Sequence, residues 1–380
     1  MPPIAAQRRP AVGRAFLPRA DMPLLQKAGA RARPGPCRQA ARSPALCAGR
    51  LAGRRCKLKK RGNMMKQYAF GIDLGCTTAK VGLFTTSGAL LEKWEVPTDT
   101  SNNGENILRN LANSIKKKAE EKDVPFDEIA GVGIGVPGPV REDRYVPTCA
   151  NLGGWGDLDV SANLSALLDG LPVKTGNDAN VAALGEIWMG TAKGCRSMVM
   201  VTLGTGVGGG VIVNGNVLCG AHGAGGEIGH ITVNPHEKAA CGCGKHGCLE
   251  QYSSATGIVR CMKLLLEASS EPCVLRGREF AAKDVLDAAR DGDKLALREV
   301  NNMADTLGFA LAGIASTVDP EMFLLGGGVS RAGDILVDAV TAAFKKYAFS
   351  ACVDTPIKIA SLGNDAGIYG AVRLVVGSGD

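Results

Sequence analysis

A chain of 380 residues with 45% hydrophobic and 21% charged residues has a globular composition and enough length for two cores. Its net charge of +7 conceals an asymmetry: the first 63 residues supply +15 (16 Lys or Arg against Asp21), which leaves the rest at −8, so no nucleic-acid partner is expected for the body. No run of about 18 apolar residues exists, which excludes a membrane-spanning helix, and the 13 cysteines, with no secretory signal, read as reduced thiols of a cytosolic protein.

Residues 1–63 are rich in Ala, Arg, Pro and Gly and show no sustained helical or strand period. They are expected to be a disordered basic extension or a non-native leader, with translation starting at Met64 or Met65. A transit peptide would be Ser-rich, whereas this segment holds only Ser43. A flexible basic arm is the third option.

Strands follow at 67–74, 77–84 and 89–96, then an amphipathic helix at 104–122 with Ile107, Leu111 and Ile115 on one face. The run Lys116 to Lys118 lies off that face and reads as solvated surface. A buried strand at 129–136 leads into Pro137-Gly138-Pro139. The theme restarts with strands at 197–204 and 208–213, and Asn214-Gly215 is a strong hairpin turn. Two such units predict a duplicated α/β fold: an N-terminal lobe over 64–182, a C-terminal lobe over 183–365, and a last helix at 366–376 returning to the first lobe.

Two Gly-rich turns join the opening strands of the two units. The first is Asp73-Leu74-Gly75-Cys76-Thr77-Thr78-Ala79-Lys80, and the second is Leu203-Gly204-Thr205-Gly206-Val207-Gly208-Gly209-Gly210. Small residues let backbone N–H groups approach phosphate oxygens closely. Five glycines in eight residues cost too much backbone entropy for packing alone to explain. A third turn, Leu325-Gly326-Gly327-Gly328-Val329-Ser330, follows later. Between the lobes stands Gly176-Asn177-Asp178-Ala179-Asn180, where Asn and Asp suit either a helix cap or site chemistry.

The densest cluster is Gly225 to Tyr252, GGEIGHITVNPHEKAACGCGKHGCLEQY. His230, Cys241, Cys243 and Cys248 have the donor types and spacing for one tetrahedral Zn²⁺. Four protein ligands leave no position for water, so the metal is expected to be structural. Glu227 and Glu250 flank it, and closing the site would bring those two carboxylates together.

GGEIGH followed by CGCGKHGCLEQ resembles the ROK family (repressors, open reading frames and sugar kinases), most of all its bacterial ATP-dependent glucokinases. The resemblance covers about residues 67 to 376 and implies a duplicated actin/hexokinase/Hsp70-like (ribonuclease H-like) two-lobed fold. It implies phosphoryl transfer from ATP to the 6-hydroxyl of D-glucose, with Asp178 as general base. Sugar would be bound by Gly138, Asn151, Gly154, Asn177, Asp178, Glu227, His230 and Glu250. ATP would lie on Asp73, Gly75, Thr77, Thr78, Lys80, Gly204, Thr205, Gly206, Gly327 and Gly328, with Asp73 holding Mg²⁺ through water and Cys76 standing where Gly is more usual. His230, Cys241, Cys243 and Cys248 would hold zinc. Trp155 reads either as a platform for a sugar face or as a packing anchor. A cytoplasmic homodimer or homotetramer is implied. Other ROK hexose kinases, acting on N-acetylmannosamine, N-acetylglucosamine, fructose or allose, stay open as alternatives. So does a ROK repressor, although the extension lacks the amphipathic helices of a DNA-binding domain. GIDLGCTTAK alone also resembles iron–sulfur ATPases, against which the Asn177-Asp178 and GGEIGH segments argue.

Overall fold

The computed structural model describes residues 66–149 and 152–377, so the expectations for residues 1–63 and for Asn151 lie outside the described residues. The first lobe opens with β1 (Tyr68–Leu74), β2 (Thr78–Thr85) and β3 (Leu90–Pro97), an antiparallel meander. It continues with α1 (Ile107–Glu121), β4 (Ile129–Val136), the short pair β5 (Tyr145–Val146) and β6 (Leu158–Asp159), α2 (Val160–Leu167) and β7 (Val173–Asn177). Strands β4 and β7 add in parallel, giving the order β3-β2-β1-β4-β7. Next comes α3 (Asp178–Met189).

The second lobe repeats the plan. It contains β8 (Met198–Leu203), β9 (Val207–Val213), β10 (Asn216–Val217), α4 (Glu250–Ser253), α5 (Ala255–Ala268), α6 (Ala282–Arg290), α7 (Lys294–Val318), β11 (Met322–Gly326), α8 (Asp334–Tyr347) and β12 (Ile357–Ile359). Its sheet order, β10-β9-β8-β11-β12, is that of the first lobe element for element, with the same antiparallel and parallel pairings. The chain ends in α9 (Ala366–Val376).

Burial follows position in the sheet. Central β4 is almost wholly buried, as a parallel strand covered on both faces must be. Edge strand β3 alternates, so that Trp94 turns inward to meet Phe70 edge-on at 6.2 Å and donates from Nε1 to Ser114 Oγ at 2.7 Å. On α1, Ile107, Leu111 and Ile115 are buried as expected. Its lysines are an ion-paired surface: Lys116 meets Asp169 at 2.9 Å, and Lys118 meets Glu121 at 2.8 Å and Glu92 at 3.1 Å. The helix starts at Ile107 rather than 104, because Asn102 and Asn103 take left-handed φ of 48° and 55°, closing off a separate turn. The Asn214-Gly215 turn has φ of 51° and 80°, the geometry that suits a two-residue hairpin.

Helices α3 and α9 fill the space between the sheets. Ala183 and Leu184 of α3 join Met198, Met200 and Leu324 of the second sheet, while Ile368 and Val372 of α9 cluster with Ala69 and Phe84 of the first. The approach is too close for side chains. A Cβ on Gly370 would sit 1.6 Å from the Val181 carbonyl oxygen, and one on Gly133 would sit 1.7 Å from that of Ala371. Among the described residues no helix is long and apolar enough to cross a membrane.

Candidate active site

Asp73, the penultimate residue of β1, pairs across the ladder with Lys80 of β2, whose Nζ lies 3.8 Å from Asp73 Oδ2 and donates to the Asn364 carbonyl at 3.2 Å. Burial raises the Asp73 carboxyl above its usual range, and the Lys80 charge opposes that shift. Between them, the Gly75 N–H is folded back on the Thr78 carbonyl at 3.2 Å. The loop between β8 and β9 is tied to α5: Ala255 N–H donates to the Gly204 carbonyl and Thr256 Oγ1 to that of Thr205, both at 2.8 Å. After β11, Gly327 takes a φ of 82° and its carbonyl accepts from Ser330 Oγ at 2.8 Å.

These loops border two cavities. One, of about 410 Å³, lies between the lobes and is lined by Asp73, Lys80, Asp178 and Gly327. The other, of about 750 Å³, is lined by Gly204, Thr205 and Gly328. Gly75, Thr77, Thr78 and Gly206 line neither. The cavities also take in Lys283, Arg290, Arg331 and Asn364, which sequence reasoning missed. These residues sit on ordinary surface helices and turns, and only the topology brings them to the cleft.

The segment between β7 and α3 divides its work between adjacent residues. Asn177 is the N-cap: its Oδ1 accepts from the N–H groups of Ala179 at 3.1 Å and Asn180 at 3.2 Å, while its Nδ2 donates to the Gly138 carbonyl at 3.1 Å. Asp178 is the first helical residue. Its Oδ1 accepts from Ala179 N–H at 2.8 Å and Asn177 Nδ2 at 3.0 Å, and its Oδ2 makes no hydrogen bond among the described residues. Burial pushes its pKa up to about 6; the Ala179 N–H opposes that shift, and the charges of Asp73 and Glu227 reinforce it. The result is a carboxylate with one oxygen held and one open, poised near neutrality.

Glu227 heads the turn Ile228–His230. It is exposed and lines an apolar hollow of about 550 Å³ with Phe309 and Tyr347, outside the cavity that Asp178 lines. Glu250 opens α4, and its Oε2 accepts from Val207 N–H at 3.0 Å, directly behind the second Gly-rich loop. The other oxygen, Oε1, faces Cys241 Sγ at 3.7 Å, so one carboxylate spans the loop and the cysteine cluster. Gly154 adopts a φ of 86°. Trp155 is only 4% exposed within the first-lobe core, which decides for the packing anchor.

The donor atoms of His230, Cys241, Cys243 and Cys248 all lie within 4.8 Å of one another. The Sγ atoms of Cys243 and Cys248 are 3.7 Å apart, and Cys241 Sγ is 3.9 Å from His230 Nδ1. A zinc tetrahedron with Zn–S of about 2.3 Å has S···S edges of about 3.8 Å. The residues fit the ion.

The ROK family profile matches residues 69–377. A glucokinase of Halalkalibacterium halodurans is 41% identical over 318 residues, which is 82% of this chain and 96% of that protein. Among solved structures, the ROK hexokinase of Thermus thermophilus superposes with a TM-score of 0.70 at 33% identity, covering 81% of this chain and 97% of that one. A ROK family glucokinase from Streptomyces griseus, in complex with glucose and AMPPNP, gives 0.65 at 32% identity, covering 81% and 99%. The repeated sheet order above is thus the duplicated actin/hexokinase-like fold of these proteins. With both the profile and relatives matching along essentially the whole described region, the chain belongs to the ROK family.

Proposed function

We propose that this chain is a glucokinase, an ATP-dependent hexose kinase that transfers the γ-phosphoryl group to the 6-hydroxyl of D-glucose. The observation that carries the reading is that Asp178, with one free oxygen and a pKa near 6, lines the same interlobe cavity as Asp73, Lys80 and Gly327. A base for a hydroxyl and an apparatus for phosphates share one cleft. The relatives named glucokinase supply the choice of sugar.

In this reading Asp178 takes the hydroxyl proton on Oδ2 as the phosphoryl group arrives. Asn177, Glu227, His230 and Glu250, with Gly138, Asn151 and Gly154, bind the remaining hydroxyls and set the ring. Phosphates lie along Gly75, Thr77, Thr78 and Lys80 on one side and Gly204, Thr205, Gly206, Gly327 and Gly328 on the other. Asp73 would hold Mg²⁺ through water, since that ion keeps much of its hydration shell, and the ion would supply neutralisation of phosphate charge. Zinc on His230, Cys241, Cys243 and Cys248 is structural and fixes the loop that carries His230 and leads into Glu250. A cytoplasmic homo-oligomer, dimer or tetramer, completes the proposal.

The test is ADP release by the full chain with Mg-ATP and a panel of hexoses, together with sedimentation to count subunits. Saturable turnover with kcat/KM highest for glucose is expected. A higher value for N-acetylmannosamine, N-acetylglucosamine, fructose or allose would keep the mechanism and change the acceptor. Sugar binding without turnover would replace the kinase with a sugar sensor.

A further inference from the structure

Four cationic side chains face the two cavities that border the Gly-rich loops, and three of them are already committed. Lys80 is held by Asp73 and the Asn364 carbonyl. Asp287 takes both Lys283, at 2.5 Å, and Arg290, at 2.7 Å, and the latter also donates to the Ala332 carbonyl. Arg331 is the fourth. Its guanidinium makes no hydrogen bond or ion pair among the described residues, and it is exposed. Unlike the other three, it lines both cavities, the interlobe one beside Asp178 and the larger one beside Thr205 and Gly328.

A triphosphate carries several negative charges along one flexible chain, and a planar guanidinium matches phosphate oxygens two at a time. The cleft cavity offers Asp73, Lys80 and the base, where the transferred group must react. The larger cavity is walled mainly by apolar atoms of Ala255, Ala281 and Leu286, suited to a nucleoside. A donor reaching from one to the other must pass the residue common to both. We infer that Arg331 binds the phosphate chain of the nucleotide donor where it crosses between these cavities. This rests on the kinase reading and adds to it: Arg331 discriminates by the number of phosphates on the nucleoside and leaves the base and the sugar untouched.

The experiment is calorimetric titration of the full chain and its Arg331→Ala variant with adenosine, ADP and AMPPNP in the presence of Mg²⁺, with glucose as a control ligand. Loss of a charge-assisted contact predicts roughly 10- to 100-fold weaker ADP and AMPPNP binding, with adenosine and glucose unchanged. Arg331→Lys should fall between, since a point charge keeps attraction without the fork. In turnover, the KM for ATP should rise far more than kcat falls. The variant's melting temperature should match the parent's, because the side chain has no partner to lose. Equal ADP affinity in parent and Ala variant, or equal losses for adenosine and ADP, would overturn the inference while leaving the kinase intact. A parent that binds none of the three nucleotides sinks the kinase reading, and this inference with it.

Discussion

The residue types of Asn177 and Asp178 do not by themselves separate helix capping from substrate contact, and only the family resemblance gave the base to Asp178 and a sugar contact to Asn177. The structure divides them: Asn177 satisfies the first turn of α3, and Asp178 keeps one oxygen open. Because Asp178 must be ionised to accept a proton, and burial lifts its pKa to about 6, kcat/KM should climb as pH rises through about 6 and level off above it. Asp178→Asn should cut kcat by about 10² to 10⁴ and erase that limb. A flat profile between pH 5 and 7 in the parent enzyme would remove Asp178 from the role. Asp178 was legible as a candidate base because taking a proton from a hydroxyl calls for a positioned carboxylate. Trp155 was not, because a lone aromatic carries no directional information until its neighbours are known. Arg331 looked like any surface arginine for the same reason.

At the scale of elements, the cysteine loop shows how spacing can outrun secondary structure. No helix or strand propensity marks residues 240–248, yet donor types and glycine spacing pointed to one metal, and the four donors do converge. In the proposed reading Glu250, two residues past Cys248, and His230, one of the four converging donors, also hold sugar, so the metal's influence should extend to glucose binding. Cys243 is exposed, so its replacement removes a donor without opening a core cavity. Cys243→Ser is therefore expected to lower bound zinc from one equivalent per chain and to reduce the melting temperature. It should also raise the glucose KM about 10-fold or more with a smaller effect on the ATP KM. Metal analysis beside kinetics checks this, and a zinc-free variant with parental sugar kinetics would confine the ion to stability. The start of α1 was misplaced by a different cause. The apolar stripe gave the helix correctly, but Asn102 and Asn103 in left-handed backbone close a separate turn ahead of it, so α1 begins three residues later than the stripe suggests, and Asn tolerates that conformation without announcing it.

For the whole molecule, the duplication was legible because each half opens with strands around a Gly-rich turn, and the two sheets share one strand order. The packing of the halves was not, since it depends on backbone contacts that leave little trace in hydrophobic period. Glu227 and Asp178 line different hollows, although the charge of one bears on the other. Glucose is expected to draw the lobes together so that both carboxylates meet one ring. Small-angle scattering should then show a smaller radius of gyration with glucose than without, and an unchanged value would argue for a cleft already set.

The seating of α9 carries a consequence for how the protein is made. The first sheet is finished by Ile368, Tyr369 and Val372, with Tyr369 edge-on to Phe84 at 4.8 Å. On the ribosome, then, the earliest strands to emerge wait almost the entire duration of synthesis for the segment that covers them. Throughout that interval Ala69 and Phe84 present an apolar face to solvent, inviting chaperones or aggregation. A ribosome stalled anywhere before residue 366 would release an N-terminal half unable to complete itself, however sound its own sequence.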